Sequence, residues 1–355
     1  MTNNPSHATS SDTPPAPTTS PKRRRLSARL LAIAIVASYL AVAFCQLFPQ
    51  DFRNTARLYV LVATTAFMIR TFLFHFGLML AAVAMLAAAM RHWRLALATV
   101  PLLAITLGPD LWSYAPHPAP PAARNTLTIV SANLLALNHD TAPITRRIAQ
   151  IAPDVVVLQE YAPQWHAAFR KTLAAAYPHA QVVVRTDSFG LAVYARRPFV
   201  RPVQTDVPLG AAISPQFRTV LRFGRRDVAL YNVHLMPPMG LTYTTEQRLQ
   251  FADLLDRLRH ERLPVILCGD FNFTNHSAYA DALARLGLVD AHRISGHGRG
   301  TTWPAIGHLR FLPGIRLDHI FLSRELTSTS SRVIPIPGSD HRAIMAKITW
   351  KSEPH

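Results

Sequence analysis

Hydrophobic side chains are distributed along this chain in two ways, and the change near residue 114 divides it. Before that point they run almost unbroken. Leu30 to Phe48 is nearly continuous Leu, Ala, Ile, Val and Phe, close to the roughly 20 residues that a bilayer-spanning helix needs. Phe72 to Met90 and Leu95 to Leu111 repeat the pattern, which predicts three membrane helices at about 30–48, 72–90 and 95–111 within a region from 28 to 113. Leu58 to Ile69 is also apolar but short, and Arg57 and Arg70 bound it. A charge in mid-bilayer costs at least about 2.5 kcal/mol, so this stretch reads as interfacial or as an extension of the second helix, with four spans as the alternative. Residues 1–27 form a Ser/Thr/Pro-rich tail ending in Lys22-Arg23-Arg24-Arg25, too poor in apolar residues to order itself. A signal peptide is the competing reading of the first apolar run, since Ala41-Val42-Ala43 resembles a cleavage site.

Past a Pro/Ala-rich spacer at 114–126 the apolar runs become short and punctuated. Strand-like runs are Leu127 to Ala132, Val155 to Leu158, Gln181 to Val184, Leu191 to Ala195, Val220 to Phe223, Val228 to Val233, Val265 to Cys268, Leu317 to Leu322, Val333 to Ile336 and Ala343 to Trp350. Many are β-branched and end in Gly, Pro, Asn or Asp. Helical periodicity appears at Ile144 to Ile151, Trp165 to Ala176, Glu246 to His260 and Tyr279 to Leu286. In the third of these, Leu249, Ala252, Leu255 and Leu258 form one stripe, with Arg248, Asp256 and Arg259 away from it. The sum is an α/β domain over 127–350.

Polar residues collect where the strands stop. Ile266-Leu267-Cys268 runs into Gly269-Asp270-Phe271-Asn272. Residues i and i+2 of an extended segment point the same way, so Asp270 and Asn272 form either a site or an Asp/Asn-rich turn. Asn133, Glu160, His234, Asp318-His319 and Asp340-His341 lie at comparable strand ends. Each alone is explained as a turn or edge residue; together they suit a chemistry. Hard oxygen donors such as Glu160 and the Asn133 amide favour Mg²⁺ or Mn²⁺. A divalent ion beside a carboxylate base and a histidine suits attack by water at phosphorus.

In their order, Ser131-Ala132-Asn133, Leu158-Gln159-Glu160, Asn232-Val233-His234, Gly269-Asp270-Phe271-Asn272, Leu317-Asp318-His319-Ile320 and Ser339-Asp340-His341 resemble the motifs of the endonuclease/exonuclease/phosphatase (DNase I-like) superfamily, in its bacterial membrane-anchored branch. The resemblance implies a four-layer α/β/β/α sandwich. It also implies that Glu160 is the principal metal ligand, with Asn133 beside it on metal or phosphate and Asp340 as a second ligand or electrostatic partner. Asp270 would orient or deprotonate the attacking water, and Asn272 would hold that aspartate and the phosphate. His341 would contact the phosphate, oriented by Asp318, and His234 would bind phosphate or assist the leaving group. His319 reads as structural. Gln159-Glu160-Tyr161-Ala162 departs from the Gln-Glu-Thr-Lys of AP endonucleases, and Gly314 to His319 from the Pro-Ala-Trp-Cys-Asp-Arg box of inositol 5-phosphatases. Trp303, in Thr301-Thr302-Trp303-Pro304, is either core filling or an aromatic wall. The implied activity is divalent-metal-dependent hydrolysis of phosphodiesters or phosphomonoesters, the substrate being nucleic acid or a phospholipid headgroup. The alternative is a membrane-anchored scaffold of the same fold without turnover.

Charge adds a location. From residue 115 onward there are 27 Lys and Arg against 17 Asp and Glu, a surplus of 10 within the total of +17. That surplus reflects either attraction to an anionic partner or composition alone. Cys45 lies in the first apolar run and Cys268 in a strand, so the two do not pair. Lys22 to Arg25 and the Arg91-His92-Trp93-Arg94 turn both belong on the cytoplasmic side. Two spans separate them, and the third carries the rest of the chain outward. The expected location is a bacterial inner membrane with the catalytic domain in the periplasm, so alkaline phosphatase fused to the C-terminus should be active; an inactive fusion overturns this topology.

Overall fold

The computed structural model describes residues 21–116, 125–212 and 214–351. The tail expected over residues 1–20 and the spacer residues 117–124 lie outside the described residues. The first helix, α1, is Pro21–Leu47, so the basic run from Lys22 to Arg25 lies within helix and not in the tail. Next come α2, Arg57–Thr71, and α3, Leu73–Ala89, bent by 65° from it. The third expected span is broken at Thr99 into α4, Trp93–Ala98, and α5, Val100–Trp112. Among the described residues α1 is long and apolar enough to cross a membrane alone, and α2 with α3 passes only as a bent pair.

Helices α1, α3 and α5 pack through Val42, Leu80 and Leu102. Ser27 Oγ lies 3.3 Å from His92 Nε2, so the two basic clusters share one end of the bundle. α3 separates that end from the C-terminal part of the chain by about 25 Å, at 1.5 Å per residue. Helix α2 lies against α1 of the bundle and also packs on the C-terminal domain, where Phe67 joins its core.

That domain runs β1 (Leu127–Asn133), α6 (Ala142–Ile151), β2 (Val155–Gln159), α7 (Pro163–Thr172), β3 (His179–Val183), β4 (Leu191–Ala195), β5 (Phe199–Gln204), β6 (Phe217–Phe223), β7 (Arg226–His234), α8 (Gly240–His260), β8 (Val265–Asp270), α9 (Ala278–Arg285), β9 (Val289–Asp290), α10 (Ala291–Ser295), β10 (Asp318–Leu322), β11 (Leu326–Pro335) and β12 (Arg342–Trp350). One sheet has the order β11-β12-β1-β2-β4-β3 and the other β5-β6-β7-β8-β10-β9. Each carries one parallel pair at its centre, β1 with β2 and β7 with β8, and is otherwise antiparallel.

The strands read as unbroken apolar runs because both of their faces are buried. In β2, Val155 and Val157 enter the core between the sheets, while Val156 and Leu158 face Trp165 and Phe169 of α7. In β8, Ile266 and Cys268 face inward, while Val265 and Leu267 meet Phe251 and Leu254 of α8. The layers are therefore helix, sheet, sheet, helix. Strand β5 escapes sequence reading because it contains Pro202, is largely exposed and pairs irregularly, as an edge strand tolerates. Two-residue β9 is too short to leave a pattern. Helix α8 starts at Gly240, six residues before the periodicity shows.

The helical region is built into the domain core. Phe52, before α2, lies with its ring centroid 4.8 Å from both Phe251 and Tyr279, and Phe67 lies 5.5 Å from Tyr279. Arg248, expected on the solvent side of α8, is instead buried. It donates to Asp51 O and sits 5.1 Å from the Tyr59 ring. Arg70, which as an intramembrane charge would be costly, leaves the bundle to donate to His276 O and to Asp281 at 2.6 Å. Since Phe-to-Ala changes in packed cores cost roughly 3–5 kcal/mol, Phe52→Ala should destabilise the C-terminal domain by about 3 kcal/mol, read as an earlier denaturant midpoint in the full chain.

Candidate active site

Strand register brings the polar strand ends together. In the parallel pairs Asn133 stands beside Gln159 and His234 beside Asp270; in the antiparallel pair Asp318 stands beside Asp270. The central strands of both sheets stop at one edge of the sandwich, and their last residues face each other across it. The tightness of this edge is set by backbone. A Cβ on Gly269 (φ 147°) would lie 1.8 Å from Val233 O, so only glycine lets β7 approach β8 just before Asp270.

Asn133 joins the two sheets. Its Nδ2 donates to Glu160 Oε1 and to Asp270 Oδ2, each at 3.0 Å, and its Oδ1 accepts from Leu135 N. The oxygen expected to face a cation is thus engaged by backbone. Glu160 Oε2 accepts from Ala136 N at 2.8 Å. Leu135, Glu160 and Asn272 all have φ between 51° and 58°, a left-handed conformation that costs of order 1–3 kcal/mol and collects at functional sites. It lets the chain turn at once after each strand, so that the side chain stays at the edge.

The histidines converge on the same aspartate. His341 Nε2 and His234 Nε2 each lie 3.7 Å from Asp270 Oδ2, too far for hydrogen bonds. His341 Nδ1 donates to Asp318 Oδ2 at 2.8 Å, and Asp270, Asp318 and His341 present heteroatoms all within 4.8 Å of one another. Burial opposes protonation of His341, but Asp318, Asp270 and Asp340 outweigh it and push its pKa up to about 10. Burial pushes the Asp318 carboxyl up, partly offset by His341. Asn272 holds Asp270 through its backbone, N–H to Oδ1 at 3.0 Å, while its side chain donates to Leu235 O. Asp340 is gripped by the Trp303 indole at 3.4 Å, so Trp303 is neither plain filling nor a free wall.

His319 is separate from this group. It is fully buried, with Nδ1 2.5 Å from Asp290 Oδ2 and Nε2 3.1 Å from Phe273 O. Burial would raise Asp290, but Arg316 and His319 outweigh it and hold its carboxyl below the usual range. This is a structural pair behind β10, as its placement among Phe271, Phe273 and Phe321 requires.

Several supports left no mark in the sequence. Gln216 clamps the His234 backbone on both sides, at 2.9 and 3.0 Å, and Phe189 lies 5.4 Å from the His234 ring. Thr302 Oγ1 accepts from Leu317 N and Asp318 N. Ser339, already within a motif, donates to Asn133 O and accepts from His341 N. Gly190 backs Glu160, since a Cβ there would lie 2.1 Å from Tyr161 O. These contacts join residues far apart in sequence, so no local spacing signals them. In metal-free protein the His341 imidazole should stay protonated through neutral pH and titrate near pH 10 by NMR; Asp318→Asn should move that titration down toward the ordinary value of 6.5. A wild-type titration near 6.5 contradicts the charge balance described.

The model described as "Endonuclease/Exonuclease/phosphatase family" matches residues 130–341. No curated protein matches the chain. Among solved structures, D. rerio TDP2 complexed with single strand DNA product is 20% identical, over 63% of this chain and 99% of that one, with a TM-score of 0.52. The human Nocturnin catalytic domain with bound sulfate anion is 19% identical over 64% and 95%, TM-score 0.51. An endonuclease/exonuclease/phosphatase family protein from Leptotrichia buccalis is 20% identical over 63% and 100%, TM-score 0.52. At these identities the likeness to the solved structures is one of fold, a DNase I-like α/β sandwich. With the family model spanning more than half of its length, and its motif residues meeting at one sandwich edge, the chain belongs to the endonuclease/exonuclease/phosphatase family.

Proposed function

We propose that this protein is a membrane-anchored, divalent-metal-dependent phosphoesterase that hydrolyses its substrate by in-line attack of water. The observation that carries the reading is the convergence of His341 Nε2 and His234 Nε2 on Asp270 Oδ2, each at 3.7 Å, with Asn133 bridging Asp270 to Glu160. At that spacing the aspartate and both imidazoles border one point of the sandwich edge, where a phosphoryl group can lie against all three.

The donor set fits a divalent cation. Glu160, Asp270, Asp318 and Asp340 are four carboxylates in one enclosed edge, and the buried Oδ1 atoms of Asp318 and Asp340 have no protein partner among the described residues. Uncompensated buried carboxylates are costly, and hard oxygen donors are what Mg²⁺ or Mn²⁺ takes. Glu160 would be the main ligand, with Asp340 as a second; Asn133 serves by orienting Glu160 and Asp270. When bound, the cation neutralises charge on the phosphate. Asp270 accepts a proton from water as the water oxygen bonds to phosphorus. Protonated His341, with Asp318 fixing its Nδ1 proton, donates from Nε2 to a non-bridging oxygen where negative charge grows. The bond from phosphorus to the leaving oxygen breaks, and that oxygen takes up a proton, for which the His234 ring is placed.

Location rests on α1 and on the shared end of the two basic clusters, Lys22 to Arg25 and Arg91 with Arg94. These support a bundle with its basic end in the cytoplasm and the catalytic domain on the far side, in the periplasm of a bacterial inner membrane. Nucleic acid and phospholipid both offer the required phosphoester. TDP2 in its solved complex holds single-stranded DNA product, and the basic surplus of the domain suits such a ligand.

The test is hydrolysis of bis-p-nitrophenyl phosphate by the detergent-purified full chain, with Mg²⁺, Mn²⁺ or EDTA. Metal should be required, and Asp270→Asn and His341→Ala should each cost about a hundredfold or more in kcat. A folded wild type no faster than either variant would sink the proposal.

A further inference from the structure

The loop between Trp303 and Ile315 connects the candidate active site to the helical bundle, and it is apolar where it should be polar. Ile306, Leu309, Phe311 and Leu312 are 45%, 52%, 74% and 59% exposed. Four large apolar side chains within seven residues of a surface loop form a patch that soluble surfaces avoid. They lie around a short 3₁₀ turn, Gly307–Phe311, that also carries His308 and Arg310.

Both ends of this loop are tied to site residues. Trp303 and Ile315 exchange backbone hydrogen bonds at 2.9 and 2.7 Å, and Ala305 N donates to Asp340 O at 2.7 Å. Ile315 lies three residues before Asp318. The far side of the loop touches the helices: Pro313 O accepts from His75 Nε2 of α3 at 2.5 Å. Neighbouring contacts mark this as the junction where the bundle leaves the domain. Arg299 lies 3.6 Å from the Phe74 ring centroid, and Gly298 N donates to Ser113 O at the end of α5. Trp112 and Tyr114 are exposed there, as aromatic residues are at a bilayer interface.

We propose that the Ile306–Leu312 loop enters the interfacial layer of the bilayer that holds α1 and α3, and that it presents phospholipid headgroups to the Asp270 site. The inference rests on the anchored-phosphoesterase reading above and names its substrate class. A bilayer is the occupant because the loop is tied, at Pro313 O, to His75 of the apolar helix α3, beside the exposed Trp112 and Tyr114. The mix of apolar side chains with Arg310 and His308 is that of an interfacial segment on anionic lipid. With the loop seated, the phosphoester plane of the lipid stands at the level of its roots, Trp303 and Ile315, which adjoin Asp340 and Asp318 of the site. Hydrolysis then follows the route given above, water supplying the new P–O bond and the lipid-side or headgroup alcohol leaving with a proton.

The experiment uses the full chain in nanodiscs of phosphatidylcholine and phosphatidylglycerol. Leu309→Cys is labelled with an environment-sensitive fluorophore; native Cys45 and Cys268 are buried and do not compete. Arg324→Cys, past the far end of β10 with its side chain 83% exposed, is the control. The expected result is quenching of the 309 label by spin-labelled lipid and shielding from aqueous iodide, with the reverse at 324. The double variant Phe311→Ser, Leu312→Ser should lose at least tenfold in hydrolysis of vesicle phosphatidylglycerol and keep its rate on bis-p-nitrophenyl phosphate. Equal iodide quenching at 309 and 324 overturns the membrane contact. So does shielding without lipid quenching, which would identify a protein partner or a second copy. Equal slowing on both substrates, or turnover of the soluble diester or of DNA with vesicles untouched, overturns the headgroup assignment. A wild type inactive on every substrate sinks the phosphoesterase reading instead, and the quenching pattern still decides whether the loop meets lipid.

Discussion

The Asn133 carboxamide is the interaction on which the site depends. Two carboxylates, Glu160 from one sheet and Asp270 from the other, would repel across the sandwich edge, and the two N–H bonds of one amide hold both at 3.0 Å. Deeper in, Gln159 Nε2 donates to Asn232 Oδ1 at 2.7 Å, and Asn232 Nδ2 reaches Leu158 O and Ala192 O. These amides are buried between apolar faces, where a missing partner is expensive. Such bonds are directional, whereas the Val, Ile and Leu packing around them tolerates small slips. The polar crosslinks therefore fix how the sheets register, and the register fixes the distances among Asp270, His234 and His341.

The site is assembled by stopping strands, not by a loop that wanders. Each central strand ends on a polar residue and turns immediately, with Glu160 and Asn272 accepting left-handed backbone to do so. Local strain is tolerated because the rigid strands on one side and the hydrogen bonds at Ala136, Leu235 and Asp270 on the other leave the chain no alternative. The same rigidity keeps Asp318 dry beside His341, so that a buried carboxylate holds the imidazole charged.

The helical region is structurally continuous with this domain. Phe52 and Phe67 complete the outer core of α8 and α9, and Arg70 and Asp110 grip the chain just beyond Asn272 through His276. The segment that follows Asp270 is thus braced by the helices, and domain orientation relative to the bundle is set by packing and not by the spacer alone.

Sequence by itself determined much of this molecule. Short unbroken apolar runs, buried on both faces, made the central strands readable, and the polar residues at their ends named Asn133, Glu160, His234, Asp270, Asn272, Asp318, Asp340 and His341 as a group. These signals are local, carried by residues within a few positions of one another. What the sequence did not carry is contact between distant segments. Arg248 read as a charge away from the apolar stripe because nothing nearby says that Asp51 and Tyr59 cover it; Arg70 read as the polar boundary of a short apolar stretch because its partners, His276 and Asp281, are some 200 residues away. Asn133 read as a contact to metal or phosphate, and nothing local says that its oxygen accepts from Leu135 N or that its nitrogen reaches two acids. Composition and periodicity choose the elements and their faces, since those follow from side-chain burial along one strand or helix. Pairing of charges, orientation of amides and the bracing of the site depend on which strands lie side by side, and only the tertiary structure decides that.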